Sequence, residues 1–314
     1  MTAHDIAAYR VADRPAVCGM YRLYRICGMG PPSSGATTVL AILGQIERFD
    51  MGKLGKDSPV AWHIFAESQR LAYADRERFV ADPEFIAVPV LEMIDPGYLA
   101  RRGALIDPAR TLASVEPGLD LPPPAGMTPP EQGTSHFAVI DRAGNAVSYT
   151  STIESSFGSG LMFGGFYLNN ELTDFSFVPM LGGQPVANRV EGGKRPRSSM
   201  APTVVYGPDG KLVLAVGAAG GATIPVQVTR VLIGMIDWGL PVDQAIALPV
   251  LFSPGDTVFV EQGSALEPMI PALEALGHRV MARGLPLKTN AIAVTPAGLA
   301  GGADPRSDGV AAGE

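Results

Sequence analysis

A segment rich in proline, glycine, serine and threonine divides the 314-residue chain into two parts. It spans residues 105–133 and contains Leu121-Pro122-Pro123-Pro124 and Pro129-Pro130. Proline has no amide hydrogen to donate, so such a stretch favours an extended, exposed connection with few backbone hydrogen bonds of its own. The segment therefore predicts a boundary, with residues 1–133 on one side and residues 134–314 on the other.

The hydrophobic pattern differs on the two sides of this boundary. Before it, strand-like runs at Ala16–Tyr21 and Tyr24–Gly28 are followed by apolar residues at helical spacing, from Ala36 and again between Pro59 and Phe79. After it, strands are expected at residues 136–141, 146–153, 212–216, 257–261 and 291–294, and helices at residues 223–238 and 265–276. A hairpin and strands next to helices predict a layered α+β fold.

Composition excludes several classes of function. The net charge is −7 and no run of lysine or arginine is dense enough to follow a phosphate backbone, so nucleic acid is not an expected partner. No apolar run reaches the roughly 18 residues that a membrane-spanning helix needs. Residues 1–9 lack the basic and apolar regions of a signal peptide. The four histidines are scattered along the chain, and we expect no metal site and no cofactor.

Cys18 and Cys27 are the only two cysteines in the sequence. Their separation fits small core-facing residues on neighbouring strands, and it also fits a disulfide across a hairpin.

The end of the proline-rich segment, Gly133-Thr134-Ser135-His136, is a candidate cleavage site. If the bond before Thr134 were cut, the new terminus would carry a hydroxyl nucleophile. It would also carry an α-amino base with a pKa of about 7.7 to 8.0. The alternative interpretation of such a triplet is an ordinary turn.

A glycine-rich stretch, residues 217–222, lies between an expected strand and an expected helix. Backbone N–H groups at such a place suit a phosphate or a developing oxyanion. The spacing matches neither a dinucleotide-binding motif nor a P-loop, which disfavours phosphate. The glycines are also explained by a tight turn alone.

Two further polar groups could hold a zwitterion. Glu171 and Asp174 could receive an ammonium, and the hydroxyls of Ser198 and Ser199 could receive a carboxylate. The alternative for each pair is a solvated loop.

Taken together and in this order, these segments resemble the small subunit of γ-glutamyltranspeptidases, which are N-terminal-nucleophile hydrolases. The motifs that carry the resemblance are Thr134-Ser135-His136-Phe137, residues 141–147, 156–160 and 168–175, residues 194–203, Gly220-Gly221 and Ala303-Asp304-Pro305-Arg306. Upstream, residues 31–35 and Tyr73-Ala74-Asp75-Arg76 resemble the C-terminal part of the family's large subunit. The resemblance covers essentially the whole chain.

The resemblance implies a catalytic role for Thr134, Thr152, Gly220 and Gly221, and a cleavage site between Gly133 and Thr134. Thr134 would be freed by attack of its own hydroxyl on the carbonyl of Gly133, and would then attack a γ-glutamyl amide. Thr152 would hydrogen-bond the nucleophile, and the amides of Gly220 and Gly221 would form the oxyanion hole.

The resemblance also implies a substrate site. Glu171 and Asp174 would receive the substrate α-ammonium, and Ser198 with Ser199 would lie near its α-carboxylate. Glu154 stands where the family usually has asparagine, and a carboxylate cannot donate a hydrogen bond as an amide can. We therefore expect Glu154 to affect substrate preference.

For the whole chain the resemblance implies part of a four-layer αββα sandwich, since family members carry a long N-terminal half. Residues 1–133 would be the end of the large subunit and residues 134–314 the small catalytic subunit, paired as a heterodimer after cleavage. The implied reaction is hydrolysis or transfer of γ-glutamyl amides such as glutathione, with water, an amino acid or a peptide as acceptor. A cephalosporin side-chain acylase and an inactive remnant are the alternatives. By resemblance alone the protein would be periplasmic or extracellular.

Overall fold

The computed structural model describes residues 2–120 and 133–313, so the proline runs of the linker lie outside the described residues. The first part of the chain forms a strand pair and several helices. They are α1 (Ala3–Ala8), β1 (Val17–Tyr21), β2 (Tyr24–Gly28), α2 (Gly35–Ile46), α3 (Met51–Leu54), α4 (Pro59–Phe79), α5 (Val90–Met93) and α6 (Pro96–Gly103).

Residues 133–313 are rich in strands. They are β3 (Ser135–Ile140), β4 (Ala146–Ser151), β5 (Met162–Phe163), β6 (Phe166–Tyr167), β7 (Met180–Leu181), β8 (Gln184–Pro185), β9 (Thr203–Tyr206), β10 (Leu212–Ala219), β11 (Leu251–Phe252), β12 (Thr257–Glu261), β13 (Arg279–Arg283), β14 (Lys288–Thr295) and β15 (Gly298–Ala303). The helices are α7 (Ile224–Ile236), α8 (Val242–Ala247) and α9 (Ile270–Ala275), with 3₁₀ turns at Glu171–Asp174, Gly221–Thr223 and Glu267–Met269.

The central element is a six-stranded antiparallel sheet in the order β1-β2-β9-β10-β14-β15. Strand β2 pairs directly with β9, with Cys27 opposite Val204. Residues on both sides of the expected boundary therefore build one sheet, and the core side chains of both parts form one cluster.

One face of this sheet is covered by helices. Alternate residues of β10, Leu214, Val216 and Ala218, are buried in the same apolar cluster as α2, α4 and α7. Because successive strand residues point to opposite faces, the residues between them face away from the helices. Helix α2 is buried along nearly its whole length, consistent with a position between the sheet and α4.

The opposite face is covered by the hairpin β3–β4. The imidazole of His136 packs on Gly217 of β10, where a Cβ atom would overlap the ring. The Nδ2 atom of Asn290 donates to the carbonyl of His136 over 2.9 Å. The layer order of helices, main sheet and second sheet agrees with the expected α+β class and with the first three layers of an αββα sandwich.

The structure also answers two questions that the sequence left open, one about the two cysteines and one about the linker. Cys18 and Cys27 lie opposite each other on β1 and β2 and are joined by a disulfide. Residues 105–120 are largely exposed, as expected, but carboxylates on α4 bind two of their amides: Leu112 N donates to Glu67 over 2.8 Å and Gly118 N to Asp75 over 2.7 Å. This part of the linker is therefore attached to α4.

No helix in residues 2–120 or 133–313 has both the length and the apolar character needed to span a bilayer.

Candidate active site

Thr134 lies at the start of β3 and is 3% exposed. Its hydroxyl oxygen is 3.3 Å from that of Thr152, which follows β4. Ser135 pairs with Ser151 in the hairpin, so the next position outward in the same register brings Thr134 opposite Thr152. The hairpin register therefore accounts for the contact between the two predicted threonines.

The residue before Thr134 has a backbone conformation that favours glycine. Gly133 has a φ of +106°, and a Cβ atom there would overlap the carbonyl oxygen of Glu154. Glu154 itself has a φ of +71°, and its N–H donates to the Thr152 hydroxyl over 2.8 Å. The Gly133–Thr134 bond is thus packed against the turn that follows Thr152.

Glu154 connects this turn to the next polar segment. Its side chain is 7% exposed and accepts hydrogen bonds from the Ser155 hydroxyl, over 2.7 Å, and from Nδ2 of Asn170. The N–H of Asn170 donates to the carbonyl of Ile153 over 3.2 Å. Asn170 immediately precedes the 3₁₀ turn that carries the predicted acidic pair.

The acidic pair lies beside Glu154. Burial raises the pKa of the Glu171 carboxyl above its usual range, a hydrogen bond with Asp174 opposes this, and the Glu154 charge raises the pKa further. Asp174 is 3% exposed. Three carboxyl groups at one place repel one another, so a cation bound there would be stabilised.

Asn188, which the sequence reasoning missed, links the acidic pair to the serine pair. Its Nδ2 donates to the carbonyl of Asp174 over 2.7 Å, and its Oδ1 accepts from the N–H of Arg197 over 2.9 Å. Ser198 and Ser199 follow directly. The structure thus connects Thr134, Thr152, Glu154, the acidic pair and the serine pair through successive contacts.

Arg76 was also missed as a site residue, although it belongs to a motif that the resemblance used. It is 1% exposed, and its Nη2 donates to the Ser199 hydroxyl over 2.7 Å. The partners are far apart in sequence, so only the folded chain reveals the contact.

Gly220 and Gly221 end β10 and begin the turn into α7, with φ values of +129° and +59°. Within the described part of the chain, their amide N–H groups make no hydrogen bond. The hairpin contacts β10 through Ser148 at Val216 and through His136 at Gly217. The glycine pair follows Gly217 along the chain and makes no direct hydrogen bond to Thr134 among the residues described.

A search of residues 2–120 and 133–313 finds no group of three or more histidine, cysteine, aspartate and glutamate side chains arranged to hold a metal ion.

Comparison with known proteins gives the same family across the chain. The γ-glutamyltranspeptidase family model matches residues 1–314. The glutathione hydrolase proenzyme of Escherichia coli K12 is 37% identical over 98% of this chain, and this chain spans 54% of that protein.

Solved structures agree with the match. A cephalosporin acylase from Bacillus halodurans superposes with a TM-score of 0.84 and 26% identity, over 98% of this chain and 54% of that one. A chain of a γ-glutamyltranspeptidase mutant from Pseudomonas nitroreducens is 34% identical, with a TM-score of 0.52. The match covers 57% of the present chain and 98% of the Pseudomonas nitroreducens chain. The chain therefore belongs to the γ-glutamyltranspeptidase family.

Proposed function

We propose that the chain cuts itself between Gly133 and Thr134 and then hydrolyses or transfers γ-glutamyl amides, with Thr134 as the N-terminal nucleophile. The observation that carries the proposal is the pairing of the buried Thr134 hydroxyl with that of Thr152, 3.3 Å away, directly after a glycine of positive φ. A hydroxyl beside a second hydroxyl and next to a peptide carbonyl is suited to nucleophilic attack.

In the cutting step, the Thr134 hydroxyl oxygen adds to the Gly133 carbonyl carbon and the C–N bond breaks. The proton from the hydroxyl passes to the departing nitrogen, which becomes the α-amino group of Thr134. Water then hydrolyses the resulting ester, leaving a carboxylate on Gly133 and a free hydroxyl on Thr134. Thr152 can orient the attacking oxygen throughout, since its own oxygen is fixed by the N–H of Glu154.

In the acyl-transfer step, the α-amino group takes the hydroxyl proton as Thr134 attacks the γ-carbonyl carbon. The amine leaves with that proton and the acyl group stays on Thr134 as an ester. Water or an acceptor amine then attacks the ester. The N–H groups of Gly220 and Gly221 would bind the oxyanion, at about 3 to 4 kcal/mol for each donor.

The acyl group would be held by its head group. Glu171 and Asp174 are proposed to bind the α-ammonium, with Glu154 adding to the negative potential, and Ser198 and Ser199 to bind the α-carboxylate. Glutathione, which the name of the Escherichia coli relative mentions, is the proposed natural donor.

After cleavage, residues 1–133 and 134–314 would remain together as a heterodimer, because β2 pairs with β9 within one sheet. The match to the Pseudomonas nitroreducens chain supports this division. It covers 57% of the present chain, which is about the fraction that residues 134–314 represent.

A cephalosporin side-chain acylase is the second candidate, favoured by the match to the Bacillus halodurans enzyme. The two candidates differ in whether the acyl group needs an ammonium. A glutaryl anilide has the same length as a γ-glutamyl anilide, keeps a terminal carboxylate at the position of the α-carboxylate, and lacks only the α-amino group.

The test uses the purified chain and both anilides. We expect release of aniline from the γ-glutamyl compound, with a kcat/KM at least tenfold above that for the glutaryl compound, since a charge-assisted contact is worth about 1.5 to 3 kcal/mol. A preference for the glutaryl anilide would favour the acylase. Turnover of neither compound, matching that of a Thr134→Ala variant, would overturn both proposals.

A further inference from the structure

The loop that carries Ser198 and Ser199 is clamped by residues from the first part of the chain. The N–H of Ser198 donates to the Pro32 carbonyl over 3.1 Å, and both the N–H and the hydroxyl of Ser34 donate to the Ser198 carbonyl, over 2.8 and 2.9 Å. The backbone of this loop is therefore fixed from outside the expected catalytic subunit.

Arg76 joins the clamp to the side chain of Ser199. Its Nε donates to the Ser34 hydroxyl over 2.8 Å and its Nη2 to the Ser199 hydroxyl over 2.7 Å. Both serines are fully buried, and Arg76 is 1% exposed. One guanidinium thus sets the positions of the clamp and of a proposed carboxylate-binding hydroxyl.

Arg76 shares a carboxylate with a second buried arginine. It pairs with one oxygen of Glu77, and Arg197 pairs with the other over 2.6 Å. The side chain of Glu77 is 28% exposed, whereas both guanidinium groups are buried. In a site with little water, a buried positive charge acts on groups a few ångströms away far more strongly than it would in solvent.

We infer that Arg76 is a positioning residue that makes the serine pair selective for donors with a free α-carboxylate. It holds the Ser199 hydroxyl in place and supplies the positive charge that two neutral hydroxyls lack. Arg76 would act on the donor through the Ser199 hydroxyl, to which it donates. The inference rests on the proposed function, because it assumes that the serine pair binds the donor.

The test compares two donors of nearly the same shape, one with and one without the negative charge: γ-glutamyl p-nitroanilide and the same anilide with its α-carboxylate converted to a carboxamide. For Arg76→Gln we expect KM for the carboxylate donor to rise about tenfold, with little change in kcat or in KM for the carboxamide. Arg76→Lys keeps the charge and should recover part of the loss. Arg279→Gln, which removes an exposed arginine on β13, is the matched control and should change neither donor.

Glu77→Gln gives a change of opposite sign, which a folding defect cannot imitate. Removing the shared carboxylate leaves both guanidinium charges in place, so KM for the carboxylate donor should fall while that for the carboxamide stays constant. An equal rise in KM for both donors in Arg76→Gln, or an unchanged or higher KM for the carboxylate donor in Glu77→Gln, would overturn the inference. Either result would leave the proposed function standing. A wild-type chain that cleaves neither donor would overturn the proposed function and the inference together.

Discussion

The hydroxyl oxygens of Thr134 and Thr152 lie 3.3 Å apart, one position beyond the last pair of the β3–β4 ladder. This relationship depends on the register of the hairpin, because a slip of one strand by one residue would turn its threonine to the other face. Thr152 is in turn fixed by the N–H of Glu154. The hairpin register therefore places the Thr152 hydroxyl beside the proposed nucleophile.

Replacing Thr152 by valine should slow self-cleavage and acyl transfer without unfolding the chain. Valine has nearly the same shape but cannot hydrogen-bond Thr134, and it leaves the Glu154 N–H without its acceptor. We expect a loss of about tenfold in each rate, as for one hydrogen bond of about 1.4 kcal/mol. Timed mass spectra and anilide assays measure the two rates. Ser151→Ala, on the exposed side of the same strand, is the control and should have little effect.

Replacing Gly220 by alanine should reduce kcat by about a hundredfold, since it displaces a proposed oxyanion donor. A Cβ atom at Gly220 would overlap the carbonyl of Pro286, and the φ of +129° disfavours alanine. Gly239→Ala is a matched control, because Gly239 has a φ of +65° with open space around its Cβ position. Equal losses of activity in the two variants would argue against a role in the oxyanion hole.

Affinity for an ammonium-bearing donor should depend on pH through Glu171. Its pKa is raised from 4.5 by burial and by Glu154, so the carboxyl takes up a proton at a higher pH than usual. A protonated carboxyl no longer attracts ammonium, so KM should rise as the pH falls through that elevated pKa. In Glu154→Gln the pKa of Glu171 should fall, and the rise in KM should move to lower pH. An identical pH profile for the two proteins would contradict the placement of Glu154.

Acid should destabilise the folded chain through a buried histidine pair. Nε2 of His63 lies 2.8 Å from the carbonyl of Asp107 and must donate to it, so Nδ1 of His63 accepts from Nε2 of His278 over 2.6 Å. Nδ1 of His278 lies 3.9 Å from a carboxylate oxygen of Glu67.

Burial lowers the pKa of His278 from 6.5 to about 4. Since the unfolded chain binds this proton more readily, stability is fully present above pH 6.5 and is lost as the pH falls toward 4. Thermal unfolding at pH 7 and pH 4.5 should therefore show a larger drop in Tm for the wild type than for His278→Gln. His4→Gln removes an exposed histidine and should behave like the wild type.

Local pattern predicted much of the secondary structure. The bounds of β2, α4 and β12 agree with the expected ones. The missed strands have weak local signals: β15, with the sequence GLAGGA, is rich in glycine, and β13, with the sequence RVMAR, has only three apolar residues between two arginines. Their pairing with β14 and β12 supplies what their own sequence does not.

Candidate site residues could be named from the sequence where they lie in a local motif, but not where their role depends on distant contacts. The resemblance named both threonines, the acidic pair and the serine pair, and the structure connects them. The roles of Asn188 and Arg76 emerge only from folding, since Arg76 and Ser199 are 123 positions apart. The same holds for residues 105–120, whose hydrogen bonds to Glu67 and Asp75 no local pattern indicates.

The most direct test of the proposed function is the intact mass of the purified 314-residue chain, measured under denaturing conditions beside its Thr134→Ala variant. We predict two fragments for the wild type, the second beginning at Thr134, and a single uncut mass for the variant, which lacks the attacking hydroxyl. A wild type that remains uncut, or a variant that is cut at the same bond, would contradict the assignment of Thr134 as the nucleophile.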